Sequence, residues 1–389
     1  MNDSIENHPS GRKLFISFLR LGLTAFGGPA MIAYIREMAV DRHKWLDAQT
    51  FKDGVVLCQS VPGATAMQAA AYVGMKAGGV PGALLSYIGF GLPAFIFMMI
   101  LSSLYVAYHG VPKVASLFTG LQVLVCAVVA NATWTFGRST FNHYEDVAFA
   151  VTAAVLFWVG VSPFIIIVGA ALAGILFPRS AGNIPSIKTQ KSHGRSYVKE
   201  IAALLLLMIA ALLALNLIDR KLFSLAALMM KIDLFAFGGG FASIPLMLHE
   251  VVGVRRWMDS RTFMDGIVLG QVTPGPIVIT STFVGYLTHR IAGALVATAA
   301  MFTPSFFMVI VLSPIMDKLK SSAYFLKATK GIVASFVGLL LFVTFKFSSA
   351  VHWDILKAFL GLLVLIALLK KVDMVYVVLA SAVLSVFLF

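Results

Sequence analysis

The chain has 389 residues, of which 59% are hydrophobic and only 12% charged, and its mean hydropathy is +0.92. A water-soluble globule needs a polar exterior, so this composition excludes a soluble protein and predicts an all-α integral membrane protein. The formal net charge of +13 is read as basic cytoplasmic loops. No soluble segment carries a basic stripe interleaved with aromatics, so nucleic-acid binding is excluded.

In chain order, Met1–Lys13 is polar and carries Asp3 and Glu6, without the basic start and short apolar core of a cleaved signal peptide. Helices are predicted at 14–40, 50–78, 81–108, 114–137, 146–160 and 162–177. The first holds Arg20 and the break Phe26-Gly27-Gly28-Pro29. Trp45-Leu46-Asp47 follows, with Trp45 read as an interface anchor and Asp47 as a helix N-cap. The second helix holds Asp53 and Gln59-Ser60-Val61-Pro62-Gly63-Ala64-Thr65. Cys58 and Cys126 lie in apolar stretches and suit packing, not a disulfide framework or a metal site.

A basic linker, 178–199, then leads to a helix at 200–218 that has no counterpart in the first half. Helices are predicted again at 222–252, 262–288, 291–316, 326–348, 354–369 and 373–388. They hold Lys231, Asp233, Phe237-Gly238-Gly239-Gly240, Trp257-Met258-Asp259, Asp265 and Gln271-Val272-Thr273-Pro274-Gly275-Pro276. The matches fall at an offset of 211 or 212 residues: Gly28 with Gly239, Pro62 with Pro274, Pro93 with Pro304. The chain therefore divides into a first repeat at 1–177, a linker and unpaired helix at 178–220, and a second repeat at 221–389.

This reading has about 13 transmembrane helices in two homologous halves, several of them broken. One unpaired crossing between halves that each cross an even number of times inverts the second half. The charge pattern agrees if the linker and the loops of Arg255, Arg256 and Arg261, of Lys318, Lys320, Lys327 and Lys330, and of Lys370 and Lys371 all lie inside. The first-half loop of Arg36, Arg42 and Lys44 against Glu37, Asp41 and Asp47 is neutral and lies outside on this reading. A parallel repeat is the alternative.

Proline removes a backbone donor and glycine favours leaving a helix, so each Pro-Gly pair is expected to split a span into two half-helices. A new helix start offers free N–H groups and a positive dipole end, which suits an anion. At membrane depth such a break survives only in a cavity or inside protein. The substrate-site candidates are Arg20, Gly27, Gly28, Pro29, Gln59, Pro62, Gly63, Thr65, Lys231, Gly238, Gly239, Gln271, Thr273, Pro274, Gly275 and Pro276. A proline kink that only helps packing is the alternative for the Pro-Gly breaks, and helix–helix contact explains the Phe-Gly-Gly breaks as well as a site does. The matched placement of Arg20 and Lys231 points to an anion-facing role, with snorkelling as the alternative, and Asp233 is expected to neutralise Lys231. Asp53 and Asp265 are candidate coupling residues, or partners of nearby cationic side chains. No Gly-x-x-x-x-Gly-Lys-Ser/Thr loop, His-Glu-x-x-His motif or nucleophile elbow is present, so no enzyme and no cofactor is expected.

The duplicated motifs, Phe26-Gly-Gly-Pro29 with Gln59…Pro62-Gly63 and Phe237-Gly-Gly with Gln271…Pro274-Gly275-Pro276, together with Gly82-Ala-Leu and Gly293-Ala-Leu, resemble the long, two-domain form of the chromate transporter family. The resemblance covers nearly the whole chain. It implies a secondary carrier in the bacterial inner membrane that exports chromate, driven by the membrane potential or a proton gradient, with sulfate as a related oxyanion. Its partners would be a small inorganic anion and lipid, and a homodimer stays open. The alternatives are a carrier for another anion and a membrane protein without transport activity.

Overall fold

The computed structural model describes residues 9–25, 28–176, 197–313 and 322–389. Gly27 and most of the linker lie outside the described residues. The first half contains α1 (Gly11–Thr24), α2 (Gly28–Arg36) continuing into a π-helical turn at Glu37–Arg42, and α3 (Ala48–Ser60). It continues with α4 (Thr65–Tyr108), α5 (Pro112–Thr140), α6 (Tyr144–Trp158) and α7 (Pro163–Leu176). After α8 (Val198–Ile218) comes the second half: α9 (Arg220–Phe235), α10 (Ser243–Met247) between a 3₁₀ turn and a π-helical turn, and α11 (Ser260–Val272). It ends with α12 (Thr280–Leu312), α13 (Ala323–Ala350), α14 (Ile355–Leu369) and α15 (Met374–Leu388).

Among the described residues, five helices are long and apolar enough to cross a bilayer. α8 buries no residue against the rest of the protein, so its apolar surface requires lipid on every exposed side. Asp47 and Asp259 cap α3 and α11 as expected, accepting from the backbone N–H groups of Thr50 and Thr262 at 2.9 and 2.8 Å. The Thr50 hydroxyl and backbone bonds also hold the Asp47 carboxyl below the usual carboxylate range.

The repeat is visible in the backbone. Positive φ values recur at equivalent positions: Lys44 (51°) with Arg256 (52°), Gly63 (116°) with Gly275 (124°), Gly79 (68°) with Arg290 (53°), and Gly160 (88°) with Lys371 (61°). π-helical turns also recur, at Glu37–Arg42 and Leu248–Val254.

The predicted broken spans are not spans. Each folds back on itself. A side chain at Gly54 would strike the Tyr72 ring, and the Tyr72 hydroxyl donates to the Thr50 carbonyl at 3.3 Å. α3 and the first segment of α4 (65–77) are therefore the antiparallel arms of a hairpin whose tip is Val61–Ala64. Gly266 against Phe283 marks the same hairpin in the second half. Lys231 bonds Glu250 at 2.8 Å and Arg255 bonds Ser224 at 2.8 Å, so α9 and α10 also fold back. Phe18 and Trp45, with ring centroids 6.5 Å apart, bring the end of the α2 segment back to α1. A straight helix would place that tryptophan about 40 Å from Phe18 at ~1.5 Å per residue.

The chain reverses again inside α4, where Gly78 and Gly79 leave helical geometry and Gly74 packs on Gly82. Inside α12 it reverses at His289–Arg290, with Gly285 on Gly293 and Thr282 bonded to Thr298 at 2.7 Å. Only the later segments, 80–108 and 291–312, continue as long helices.

The halves interlock. α5 crosses α13, and the equivalent residues Thr133 and Thr344 meet hydroxyl to hydroxyl at 3.2 Å. α6 and α7 leave their own half to pack on α13, where Gly338 lies against Ala150 and Gly331 against Ala170 and Gly174. α14 and α15 pack on α5 in return. There the Ser385 hydroxyl donates to Ser116 O at 2.6 Å and accepts from Gly120 N at 3.0 Å.

The ends of α8 touch opposite partners. Tyr197, just before α8, borders the Gly79 corner. Asp219, just after it, caps α9 through Lys221 N at 2.8 Å and lies near His289 at the other corner. The turn of Arg255 and Arg256 lies beside Ser224 in the first turns of α9. It is therefore at the opposite end of α8 from the linker, not on the linker's side as the charge count suggested, because α9 and α10 fold back instead of crossing. Trp45 is likewise no interface anchor: it is buried, between Phe18 and a stacked His43 at 4.7 Å.

Arg290 occupies a backbone conformation (φ 53°, ψ −139°) that its counterpart Gly79 adopts without a Cβ. Such strain costs roughly 1–3 kcal/mol. Arg290→Gly is expected to raise the melting temperature of purified protein, and Gly79→Ala to lower it, read by thermal unfolding in detergent.

Candidate functional site: four hairpin tips

Pro62 cannot donate to α3, and the residue before a proline is pushed out of the helical region. Val61 accordingly turns extended (φ −111°, ψ 155°), Gly63 takes its positive φ, and a new helix starts at Thr65. In the second half Thr273 (φ −79°, ψ 141°) ends α11, Gly275 repeats the turn, and Pro276 stands just before a 3₁₀ turn at Ile277–Ile279. The tips of the other two hairpins follow α1 at Ala25 and α9 at Ala236.

The tips meet in a reciprocal pattern. The Gly63 N–H donates to the Ala236 carbonyl at 3.0 Å, and the Gly275 N–H donates to the Ala25 carbonyl at 3.1 Å. Each bond joins the Pro-Gly tip of one half to the first-hairpin tip of the other. Ala25, Ala236, Pro62, Gly63, Pro274, Gly275 and Pro276 are all buried. Gly239 adjoins the Thr65 hydroxyl and Gly240 adjoins Ile277. Two returning helices thus begin on either side of the Gly238–Gly240 turn. Neither has a side-chain cap at its start, so their first N–H groups and positive dipole ends are directed at the tips.

Of the predicted residues, this junction gathers Pro62, Gly63, Thr65, Gly238, Gly239, Thr273, Pro274, Gly275 and Pro276. Gly28 and Pro29 open α2, the returning arm of the fourth hairpin. Gln59 is exposed and Gln271 half-buried, each in the last turn of its helix. Arg20 is exposed and stands five residues before Ala25, about 7.5 Å along the helix. Lys231 is equivalently placed, but its ammonium is held by Glu250 at 2.8 Å and lies 3.7 Å from the Phe164 ring centre. Arg255 approaches the same Glu250 at 3.6 Å. Glu250, and not Asp233, therefore neutralises Lys231, because Asp233 points from the same helix into the core.

Asp53 and Asp265 differ despite their matched positions. Asp53 is half-buried and accepts from Gln49, one turn back on its own helix, at 3.2 Å. Asp265 is buried and reaches the other half, accepting from the Tyr105 hydroxyl at 2.9 Å and the Gln122 amide at 2.7 Å.

Sequence reasoning missed Tyr105, Gln122 and the cluster under the Gly63 tip. There Asp233, 1% exposed, accepts from the Ser305 N–H at 2.7 Å and from its hydroxyl at 2.6 and 2.8 Å. Gln68, wholly buried, donates to the Pro62 carbonyl at 2.6 Å. The available signal was Ser305 directly after Pro304, in register with Ala94 after Pro93. Among the described residues no group of three or more His, Cys, Asp and Glu could hold a metal.

Paired re-entrant hairpins whose tips meet inside an apolar, duplicated helical bundle define a membrane transporter built from two fused halves. The chain belongs to the chromate transporter family, which it matches over residues 12–175 and 223–386. It is 44% identical over 380 residues to an uncharacterized transporter of Methanocaldococcus jannaschii, covering 97% of this chain and 94% of that one. It is 28% identical over 361 residues to a chromate transport protein of Cupriavidus metallidurans, covering 92% and 88% of the two chains. The chromate transport protein of Pseudomonas aeruginosa is 28% identical over 389 residues, covering 95% and 90%. No solved structure matches.

Gly63→Ala and Gly275→Ala each place a Cβ at a φ above 110°. At Gly63 it would meet Ser305 Oγ and Gln68, and at Gly275 only Ala94. Both variants are expected to lose roughly 1–3 kcal/mol of stability, the Gly63 variant more, measured as melting temperature in detergent.

Proposed function

We propose that this protein is a secondary carrier that exports chromate or a closely related tetrahedral oxyanion, and that the anion binds where the four hairpin tips meet. The observation that carries the reading is the reciprocal pairing of Gly63 with Ala236 and of Gly275 with Ala25. It directs uncapped helix starts from both halves at one place inside an apolar bundle. Each dipole end is worth only about 0.3–2 kcal/mol to an anion. A desolvated dianion needs far more, so the Thr65 hydroxyl and the first N–H groups of the returning helices act together. Arg20 is the cation available to add full charge, since Lys231 is already paired. Sulfate is the neighbouring alternative by geometry and charge.

The two halves are inverted on this reading. Support comes from α8, whose 21 residues reach about 31 Å from the Gly79 corner to the equivalent corner at His289. The membrane-crossing segments of the first half number an even set once its hairpins are counted as returning, so the single α8 crossing turns the second half over. Asp265 is better placed for coupling than Asp53, because its carboxylate binds both Tyr105 and Gln122 of the opposite half.

Purified protein in vesicles is expected to move labelled chromate when a membrane potential or pH gradient is imposed, and sulfate is expected to compete. Absence of gradient-driven chromate flux overturns the reading, and flux that sulfate leaves untouched removes sulfate as a substrate. Arg20→Gln is expected to lower flux at least tenfold, the equivalent of about 1.4 kcal/mol. Lys44→Cys and Arg256→Cys should label from opposite sides of the membrane, and labelling from the same side would show a parallel repeat.

A further inference from the structure

We infer that Asp233 is a proton-binding residue whose occupancy is transmitted through Ser305 to the Pro62–Gly63 tip; the inference rests on the carrier reading for its link to transport. The site lies where two equivalent buried positions are apolar in one half and polar in the other. In the first half the equivalent positions are Gly22 and Ala94, and they are apolar: Gly22 packs on Phe90 and Pro93, and Ala94 supports the Gly275 tip by its methyl group. In the second half the same two positions are Asp233 and Ser305. The Gly63 tip therefore rests on a hydroxyl that is itself bonded to a buried carboxyl.

The chemistry of the pair suits a proton. Asp233 is 1% exposed, and its two bonding partners are the N–H and the hydroxyl of one serine. Among the described residues no cation forms an ion pair with it. A charge held that way in an apolar interior is costly, and adding a proton removes the cost. Ser305 follows Pro304, whose ring crowds the preceding turn of α12, and the Ser305 N–H donates to Asp233 at 2.7 Å.

In the ionised state the Ser305 hydroxyl donates to the carboxylate. When H⁺ is added to Asp233, the new carboxyl O–H donates to Ser305 Oγ, and the serine hydrogen must find another acceptor. Gln68 Oε1 is buried and has no partner among the described residues. The Gln68 amide flanks the same face of Gly63 as Ser305 Oγ, and its Nε2 already holds the Pro62 carbonyl. One rotation of a hydroxyl thus exchanges a bond to Asp233 for a bond to Gln68, the side chain that holds the Pro62 carbonyl of the tip.

The surroundings contain few competing charges. Tyr87 on α4 is the titratable group that faces Asp233, with Cys58 of α3 beyond it. On the same helix Lys231 turns to Glu250. α10, packed on α9, carries no titratable side chain. α8 carries only Lys199 and Glu200, at its far end, and α12 carries Tyr286, His289 and Arg290, near its distant corner. Asp265 is some ten residues from its own tip, about 15 Å along α11, and does not touch this cluster.

The test is an infrared pH titration of full-length protein in vesicles, alongside chromate flux as a function of pH. Wild type should show a protonated-carboxyl band that titrates, and Asp233→Asn should remove one component of it. Ser305→Ala should move the midpoint of that component to higher pH, by about tenfold in proton affinity, since it removes a donor to the ionised form. Flux by Asp233→Asn should lose the pH dependence of wild type. An unchanged band in Asp233→Asn overturns the proposal, as does a band that responds to sodium at fixed pH in place of protons. If wild type carries no chromate, the carrier reading fails, and the infrared arm still decides whether Asp233 binds the proton. If Asp233→Asn does not fold, the midpoint in Ser305→Ala decides it, and an unshifted midpoint overturns the proposal.

Discussion

Inside a bilayer every backbone N–H and C=O must find its partner within the protein. The two bonds from Gly63 to Ala236 and from Gly275 to Ala25 meet that demand where four helices end without continuing. Each bond crosses between halves, so neither half satisfies its own tips. The same constraint explains the buried glycines at the corners. Gly74 on Gly82 and Gly285 on Gly293 let the arms pack backbone to backbone, which short hairpins in an apolar medium require because there is no hydrophobic force between helices there.

The exchange of α6 and α7 for α14 and α15 follows the same logic on a larger scale. Each long helix, α5 or α13, is covered by the hairpin of the other half, and the two cross at Thr133 and Thr344. The junction of the tips is therefore enclosed by elements from both repeats.

The duplication is not symmetric where it matters chemically. Pro276 stands where the first half has Ala64, Gly240 where it has Pro29, and the pair Asp233 and Ser305 where it has Gly22 and Ala94. The scaffold repeats because both halves solve one packing problem. Some polar positions repeat, such as Asp47 with Asp259 and Thr133 with Thr344, but the buried pair Asp233 and Ser305 has no polar counterpart. Asp53 and Asp265 also differ: Asp53 accepts from Gln49 one turn back, and Asp265 is bound by a tyrosine and a glutamine from the opposite half.

Much of this was legible in the amino-acid order. Apolar content and the 211-residue repeat declared a duplicated membrane bundle, Asp47 and Asp259 marked helix starts, and the two Pro-Gly pairs marked the breaks, because those effects are local to the backbone. What a break does is not local. A helix interrupted by Pro-Gly can continue or turn back, and only the fit of Tyr72 against Gly54 and of Phe283 against Gly266 decides that it turns back. That choice moved the Arg255 turn to the opposite end of α8, buried Trp45, and assigned Glu250 rather than Asp233 to Lys231. The sequence by itself determined the class of protein and the positions of its breaks, since composition and proline act wherever they stand. The tertiary structure decided which breaks meet and which carboxyl lies beneath them, since those depend on contacts between residues far apart in the chain.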